Sequence, residues 1–414
     1  YMKDAEDSNF RDKIKNLKEA VNQLLYELHE DVSQGETKLP ASIWSECMGV
    51  FAYIMNLSED DFLNIRLHTS LITGEFVLAY WHSYPAIEPE KFAENIGYKF
   101  YTEDLPQNYW VGEPPTPKIP RPIGVNYRGR IINYNICRYQ SCISNLYSMG
   151  VLSFLEQQER SLVLEIGGGY GGIAHALGNV LRKSTYIIMD LPEMLLFSGG
   201  YLIVNNPEAR IYIYTKDTFT QQFLSKDIYS YDYVLLPNYV LKDLFNVKEI
   251  DLMINMLSFQ EMSKEQINEY LEFRSLKLSG YTYSDNFDIH PFNNALSPET
   301  VTKLLRRYFN LFPAPEFYED KIDIKSPWYC AGRKYLGISK NNETFKFQNG
   351  SMRWLHSGVK YLLLNNNGEV SFEVIEDLKS ENEINVNNFS RVKLYLKKIP
   401  FLKSVINFLR KIIM

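Results

Sequence analysis

A doubly wound, mostly parallel α/β sheet is the fold this sequence predicts, on three observations. Apolar runs of strand length alternate with helical patterns from residue 160 to about 340. One of these runs, LVLEIGGGYGG at 162–172, carries an acid near its end and then breaks into five glycines within six positions. Another, TYIIMDLP at 185–192, brings a second acid, Asp190, 25 residues after Glu165.

The elements follow in chain order. Phe10, Ile14, Leu17, Ala20, Val21, Leu24, Leu25 and Leu28 recur at helical spacing, so residues 9–30 predict a helix. Further helical pattern runs through Phe51–Met55 and Phe62–Trp81, which makes residues 1–135 a mostly helical N-terminal region. Its last part, 104–123, is proline-dense (EPPTPKIPRP), excludes regular helix and predicts an ordered surface crossing that serves as a lid. Tyr127-Arg128-Gly129-Arg130 predicts a turn, and Ile136–Leu155 one helix leading into the sheet. Within 136–340 the expected order is strand LVLEIG, helix 172–182, strand TYIIMDLP, helix 193–204, strands IYIYT (211–215), YDYVLLP (231–237) and IDLMINM (250–256), helix 263–276 and strand GYTYSDNF (280–287). Leu304–Phe309 adds a helix and Tyr335–Ser339 a closing strand, while 341–390 reads as a loop-rich extension.

Composition narrows the function classes. At 45% hydrophobic residues the chain is globular, and 414 residues allow one catalytic domain with large additions. The 14% of aromatic residues suits stacking on flat or sugar rings and is equally a compositional bias. A net charge of −6, with no basic stripe before residue 391, argues against a nucleic-acid partner. Cys47, Cys137, Cys142 and Cys330 form no C-x-x-C pair, which predicts free thiols in a reducing compartment. No apolar stretch reaches the roughly 20 residues that a spanning helix needs.

Residues 391–414 differ from the rest. They hold seven basic groups, no acidic one, and interleaved Leu, Ile and Phe on either side of Pro400. This is the make-up of an amphipathic helix attracted to an anionic membrane surface, and equally of a tail helix docked on its own acidic body or on a second copy.

The glycine turn fits two cofactors. Gly167-x-Gly169-x-x-Gly172 is a dinucleotide fingerprint, and Glu165-x-Gly167-x-Gly169-x-Gly171 is the loop of an S-adenosylmethionine site. Asp190 suits a ribose diol in either case, or the start of a helix at Pro192. LEIGGGYGG, MDLPEM and IDLMINMLSFQEM together resemble the class I S-adenosylmethionine-dependent methyltransferases, a Rossmann-like fold, and within them the sugar O-methyltransferases of bacterial polysaccharide clusters, over about Pro114 to Ser339.

That resemblance implies a sugar or glycoconjugate acceptor at the cytoplasmic face of a membrane. It implies a cofactor held by Glu165, Gly167, Gly168, Gly169 and Gly171 around the methionine part, with Asp190 and Leu191 at the ribose and Asn255 nearby. The adenine-side loop is Lys216-Asp217-Thr218 if IYIYT is the third strand, and Pro237-Asn238 if YDYVLLP is; the second, favoured here, makes IDLMIN the fourth strand. The base that takes the acceptor's proton is sought after the fourth and fifth strands, where Glu261 and His290 stand; each has a structural alternative, as a helix start and as a local loop hydrogen bond. Arg138, Tyr139 and Asp285 are the expected acceptor-side residues. Asp285, Asn286 and Asp288 are hard oxygen donors, but no adjacent acidic pair follows IDLMINM, so no metal is expected. An NAD-linked sugar oxidoreductase or epimerase, and a cofactor-binding scaffold without activity, are the alternatives.

Overall fold

The computed structural model describes residues 4–33, 44, 49, 51–73, 88–116, 121–247, 249–277, 280–288, 293–314, 332–341, 363–364 and 370–371. A hairpin, β1 (Val125–Tyr127) with β2 (Arg130–Ile132), precedes the main sheet and turns at Arg128-Gly129. The sheet is built from β3 (Ser161–Ile166), β4 (Ser184–Asp190), β5 (Ile211–Ile213), β6 (Tyr233–Pro237), β7 (Leu252–Met256), β8 (Tyr281–Phe287), β9 (Phe309–Pro313) and β10 (Gly332–Ser339). Their spatial order is β5-β6-β4-β3-β7-β8-β10-β9. All neighbours from β5 to β8 pair in parallel, and β10 runs antiparallel to both β8 and β9.

This order explains the continuous apolar runs. β3 and β4 are buried at every position, because helices cover both faces of a parallel sheet. The chain leaves β3 toward β4 on one side and later returns to β7 on the other. The resulting switch point opens a crevice at the strands' carboxyl ends, where open α/β sheets bind ligands.

The N-terminal region belongs to the same hydrophobic core. Phe10, Ile14, Leu17, Val21 and Leu24 line one stripe of the helix Asp4–Ser33 and are buried against the helix Pro192–Asn205. Gly199 and Gly200 allow this approach: a Cβ at Gly199 would lie 2.7 Å from Leu17 Cδ1, and one at Gly200 2.6 Å from Phe62 Cδ1.

The expected doubly wound fold is present, and the strand beside β4 is 233–237, the favoured of the two alternatives, with 211–213 a short edge strand outside it. Three details differ. The segment read as one helix over 136–155 is two helices, Tyr134–Ser148 and Val151–Glu156, divided at Gly150, whose φ of +76° ends the first and caps the second. Glu59–Thr69 is a 3-10 helix opened by a capping box between Ser58 and Asp61. Finally, β9 follows the helix Val301–Tyr308 without any intervening loop.

Residues 74–81 of the expected N-terminal helix, 117–120 of the proline stretch, Cys47, Cys330, nearly all of 341–390 and the whole basic tail 391–414 lie outside the described residues. Among the described residues no helix is long and apolar enough to cross a membrane, and Cys137 and Cys142 are buried free thiols.

Candidate functional site

Three turns converge at the switch point. The first follows β3: Gly167 takes a φ of +71°, its N–H bonds the Met189 carbonyl, and the chain enters the helix Gly172–Val180 through Gly171 at φ +83°. A side chain at Gly167 would strike the neighbouring turn, since its Cβ would fall 2.6 Å from Ser258 Cβ. The second turn follows β4. Asp190 accepts the Gly169 N–H at 2.8 Å on one carboxylate oxygen and the Leu191 N–H at 2.7 Å on the other, so it fixes the glycine loop against the strand end.

The third turn follows β7. Leu257 is left-handed at φ +55°, a conformation that a branched side chain rarely takes, and it redirects the chain into the turn Phe259–Glu261. Asn255 holds this turn. Its amide donates to the Ile166 carbonyl (2.8 Å) and to Ser258 Oγ (2.5 Å), and its oxygen accepts the Phe259 N–H (3.1 Å). Asn286 on β8 accepts the Ser258 and Phe259 N–H groups from the other side. Glu261 is thereby set on the cavity wall.

The roof comes from earlier in the chain. Trp44 reaches over to donate its indole N–H to Glu261 Oε2 at 2.9 Å, and Ile72 and Thr73 line the cavity beside it. Asn135, Arg138 and Tyr139 enter from the helix Tyr134–Ser148, whose start is fixed by the Asn133 side chain accepting the Ile136 N–H. A buried ion pair secures the roof: Arg66 donates to both oxygens of Glu113 at 2.9 and 3.2 Å, Asn133 donates to Glu113 at 2.7 Å, and the Arg66 guanidinium lies 4.8 Å from the Tyr170 ring in the glycine loop.

Together these walls enclose a cavity of about 550 Å³. Three carboxylates face it, and withdrawal from water raises each pKa. Glu165, hydrogen-bonded by the Tyr186 hydroxyl at 3.0 Å, is pushed up to about 8. Asp190 is pushed up to about 7 by burial, against the two N–H groups that favour its ionised form. Glu261 also rises to about 7, by burial opposed by the Trp44 hydrogen bond and with a smaller contribution from Asp190. Arg138 is the one cation among the described lining residues.

The residues singled out from the sequence divide into three groups. Glu165, Gly167, Gly168, Gly169, Asp190, Leu191 and Asn238 line the cavity on the glycine-loop side, and Glu261, Arg138 and Tyr139 line it elsewhere. Gly171, Asn255 and Asp285 do not line it. Gly171 shapes the loop, Asn255 is spent on the hydrogen bonds above, and the Asp285 carboxylate lies 3.9 Å from Lys334 Nζ. His290 lies outside the described residues. Among the described residues no group of three or more His, Cys, Asp or Glu is placed to hold a metal ion. Trp44, Asn135 and Tyr270 line the cavity without having been read as site residues, and nothing local in the sequence marks them.

Strand order and cavity define a Rossmann-like α/β protein with a ligand site at the carboxyl ends of its parallel strands. No protein-family model matches the sequence, and no curated protein matches it. Part of the chain is similar to three solved structures. An O-methyltransferase family protein from Burkholderia thailandensis is 10% identical over 50% of this chain and 60% of its own, with a TM-score of 0.29. The fibrillarin pre-rRNA processing protein of Methanococcus jannaschii is 10% identical over 52% and 81%, at 0.31. An O-methyltransferase family 2 protein from Planctomyces limnophilus is 12% identical over 43% and 49%, at 0.27. The chain thus spans less than two thirds of the length of the first and about half that of the third of these.

Proposed function

We propose that the chain is an S-adenosylmethionine-dependent O-methyltransferase acting on a sugar hydroxyl in glycan or surface-polysaccharide synthesis. The observation that carries the cofactor reading is the cavity's charge. Glu165, Asp190 and Glu261 face the space, with Arg138 the one cation among the described lining residues, and a ligand bearing a sulfonium and an ammonium would favour their ionised forms. A dinucleotide would bring a doubly charged pyrophosphate to the same carboxylates.

The residues present also fit the cofactor's parts. By this reading Asp190 at the end of β4 would take the ribose hydroxyls and Glu165 the ammonium group. Asn238, just beyond β6, has a buried side-chain oxygen with no hydrogen-bond partner among the described residues, a ready acceptor for the adenine amino group. When bound, the cofactor supplies a methyl group on positively charged sulfur. The rest falls to the chain's own side chains: Arg138 and Asn135 orient the acceptor, Glu261 takes the hydroxyl proton, and Trp44, Ile72 and Thr73 exclude water. The sugar acceptor rests on the resemblance of LEIGGGYGG, MDLPEM and SFQEM to sugar O-methyltransferases.

The test is transfer of an isotopically labelled methyl group to nucleotide sugars and glycan fragments, with Glu261→Gln as control. The variant is expected to lose at least about 100-fold in kcat while keeping its affinity for S-adenosylhomocysteine. Unchanged kcat in Glu261→Gln would move the base elsewhere, with His290 the next candidate. No transfer to any sugar acceptor would remove the acceptor assignment.

A further inference from the structure

Among the described residues Glu261 has one side-chain hydrogen-bond partner, and it comes from 217 residues away in the chain. The carboxylate follows the left-handed Leu257 turn and faces the cavity. A carboxylate accepts up to about four hydrogen bonds, so a single indole N–H on one oxygen leaves the remaining lone pairs free for a ligand. The Trp44 ring is itself held. It packs on Phe51 with centroids 5.9 Å apart, and Phe51 meets Phe197 edge-on at 5.6 Å on the helix that covers β4 and β6.

We infer that Trp44 is the positioning residue for Glu261, so that the N-terminal region completes the proton-accepting group of the site besides roofing it. The inference rests on the proposed reading only for the use to which Glu261 is put; the Trp44–Glu261 unit stands on its own geometry.

The groups around Glu261 set the expected behaviour. Burial raises its pKa first and the like charge of Asp190 from the end of β4 adds to this; Glu165 from β3 and Arg138 on the helix Tyr134–Ser148 line the same cavity, and Tyr139 and Tyr270 there are neutral near pH 7. The Trp44 N–H favours the ionised form. Its loss therefore raises the Glu261 pKa, by about one unit for a hydrogen bond to a charged group.

The test uses the full chain with ¹⁵N-labelled tryptophan, whose five indole N–H groups report separately. One indole resonance is expected to titrate with a midpoint near pH 7 and to stop titrating in Glu261→Gln; it is the one missing from Trp44→Phe. Absence of any indole titration that Glu261→Gln removes, between pH 5.5 and 8.5, would overturn the inference. The Glu261→Gln comparison identifies the resonance even if Trp44→Phe does not fold.

With a methyl acceptor in hand, Trp44→Phe is expected to move the acidic limb of the kcat profile up by about one pH unit. A fall in kcat by the same factor at every pH would instead reduce Trp44 to packing. Binding of S-adenosylhomocysteine is measured alongside. Its absence with the indole titration intact would sink the methyltransferase reading and leave the Trp44–Glu261 unit standing.

Discussion

Glu113→Ala is expected to lower the stability of the protein by about 3–5 kcal/mol, read as a shift of the urea-unfolding midpoint. The Arg66 and Glu113 side chains are 2% and 1% exposed, so removal of the carboxylate takes two charge-assisted hydrogen bonds from a buried guanidinium. Thr69 accepts one Arg66 N–H at 2.7 Å, which does not replace two charge-assisted bonds, and Asn133 loses an acceptor as well. The effect reaches the site because Arg66 packs over Tyr170 in the glycine loop. Replacing both partners by apolar residues, Arg66→Met with Glu113→Leu, is expected to recover most of the loss, since the buried guanidinium goes with its carboxylate. A change below about 1 kcal/mol in Glu113→Ala would show that the roof does not depend on this pair.

Gly167→Val is expected to remove cofactor binding while leaving the sheet folded. Two costs coincide at this position. Valine is strained at φ +71°, and its Cβ would fall 2.6 Å from Ser258 Cβ, so either the glycine loop or the turn after β7 must move. Ser258 is held by Asn255 and by the Ile166 carbonyl, and the loop by Asp190, so neither gives way cheaply. Both are cavity walls. Affinity for S-adenosylhomocysteine should fall at least about 100-fold by calorimetry, with the far-ultraviolet circular dichroism unchanged; one lost hydrogen-bonded contact alone is worth about tenfold. Retained affinity would mean that the loop does not contact the ligand.

The parts of this fold that are fixed locally are the parts that read clearly from the sequence. β3, β4, β6 and β7 announce themselves because strands buried on both faces are mostly apolar, and Gly167, Gly169 and Asp190 because a tight turn and a strand-end acid leave a fixed spacing. β9 escapes for the opposite reason. Phe309 directly follows the helix residue Tyr308, so no turn residue separates the two patterns. The break at Gly150 is hidden because the helices on either side bury apolar residues in one core. Trp44 lies beyond any local signal: its hydrogen bond to Glu261 depends on how the roof packs, which spacing along the chain does not encode. Asn255, which the resemblance puts near the cofactor, spends its amide on Ile166, Ser258 and Phe259, a use that depends on how the turns pack and leaves no mark in the local sequence.

The charge of the cavity gives the most direct test of the cofactor. Carboxylates whose pKa values stand near 7 to 8 in the ligand-free protein carry protons at pH 6 that unfolded or solvated carboxylates would have lost. A permanently cationic ligand lowers those pKa values and releases protons, so its affinity rises with pH, whereas an anionic ligand keeps the protons on and binds more weakly as pH rises. The measurement is titration calorimetry of S-adenosylmethionine, S-adenosylhomocysteine and NAD at pH 6.0 and 7.5, in buffers of different ionisation enthalpy. S-adenosylmethionine is expected to bind about tenfold more tightly at pH 7.5, with proton release, and S-adenosylhomocysteine, which lacks the sulfonium charge, with a smaller change. Binding of NAD, or failure of both S-adenosyl compounds to bind at either pH, would contradict the methyltransferase assignment.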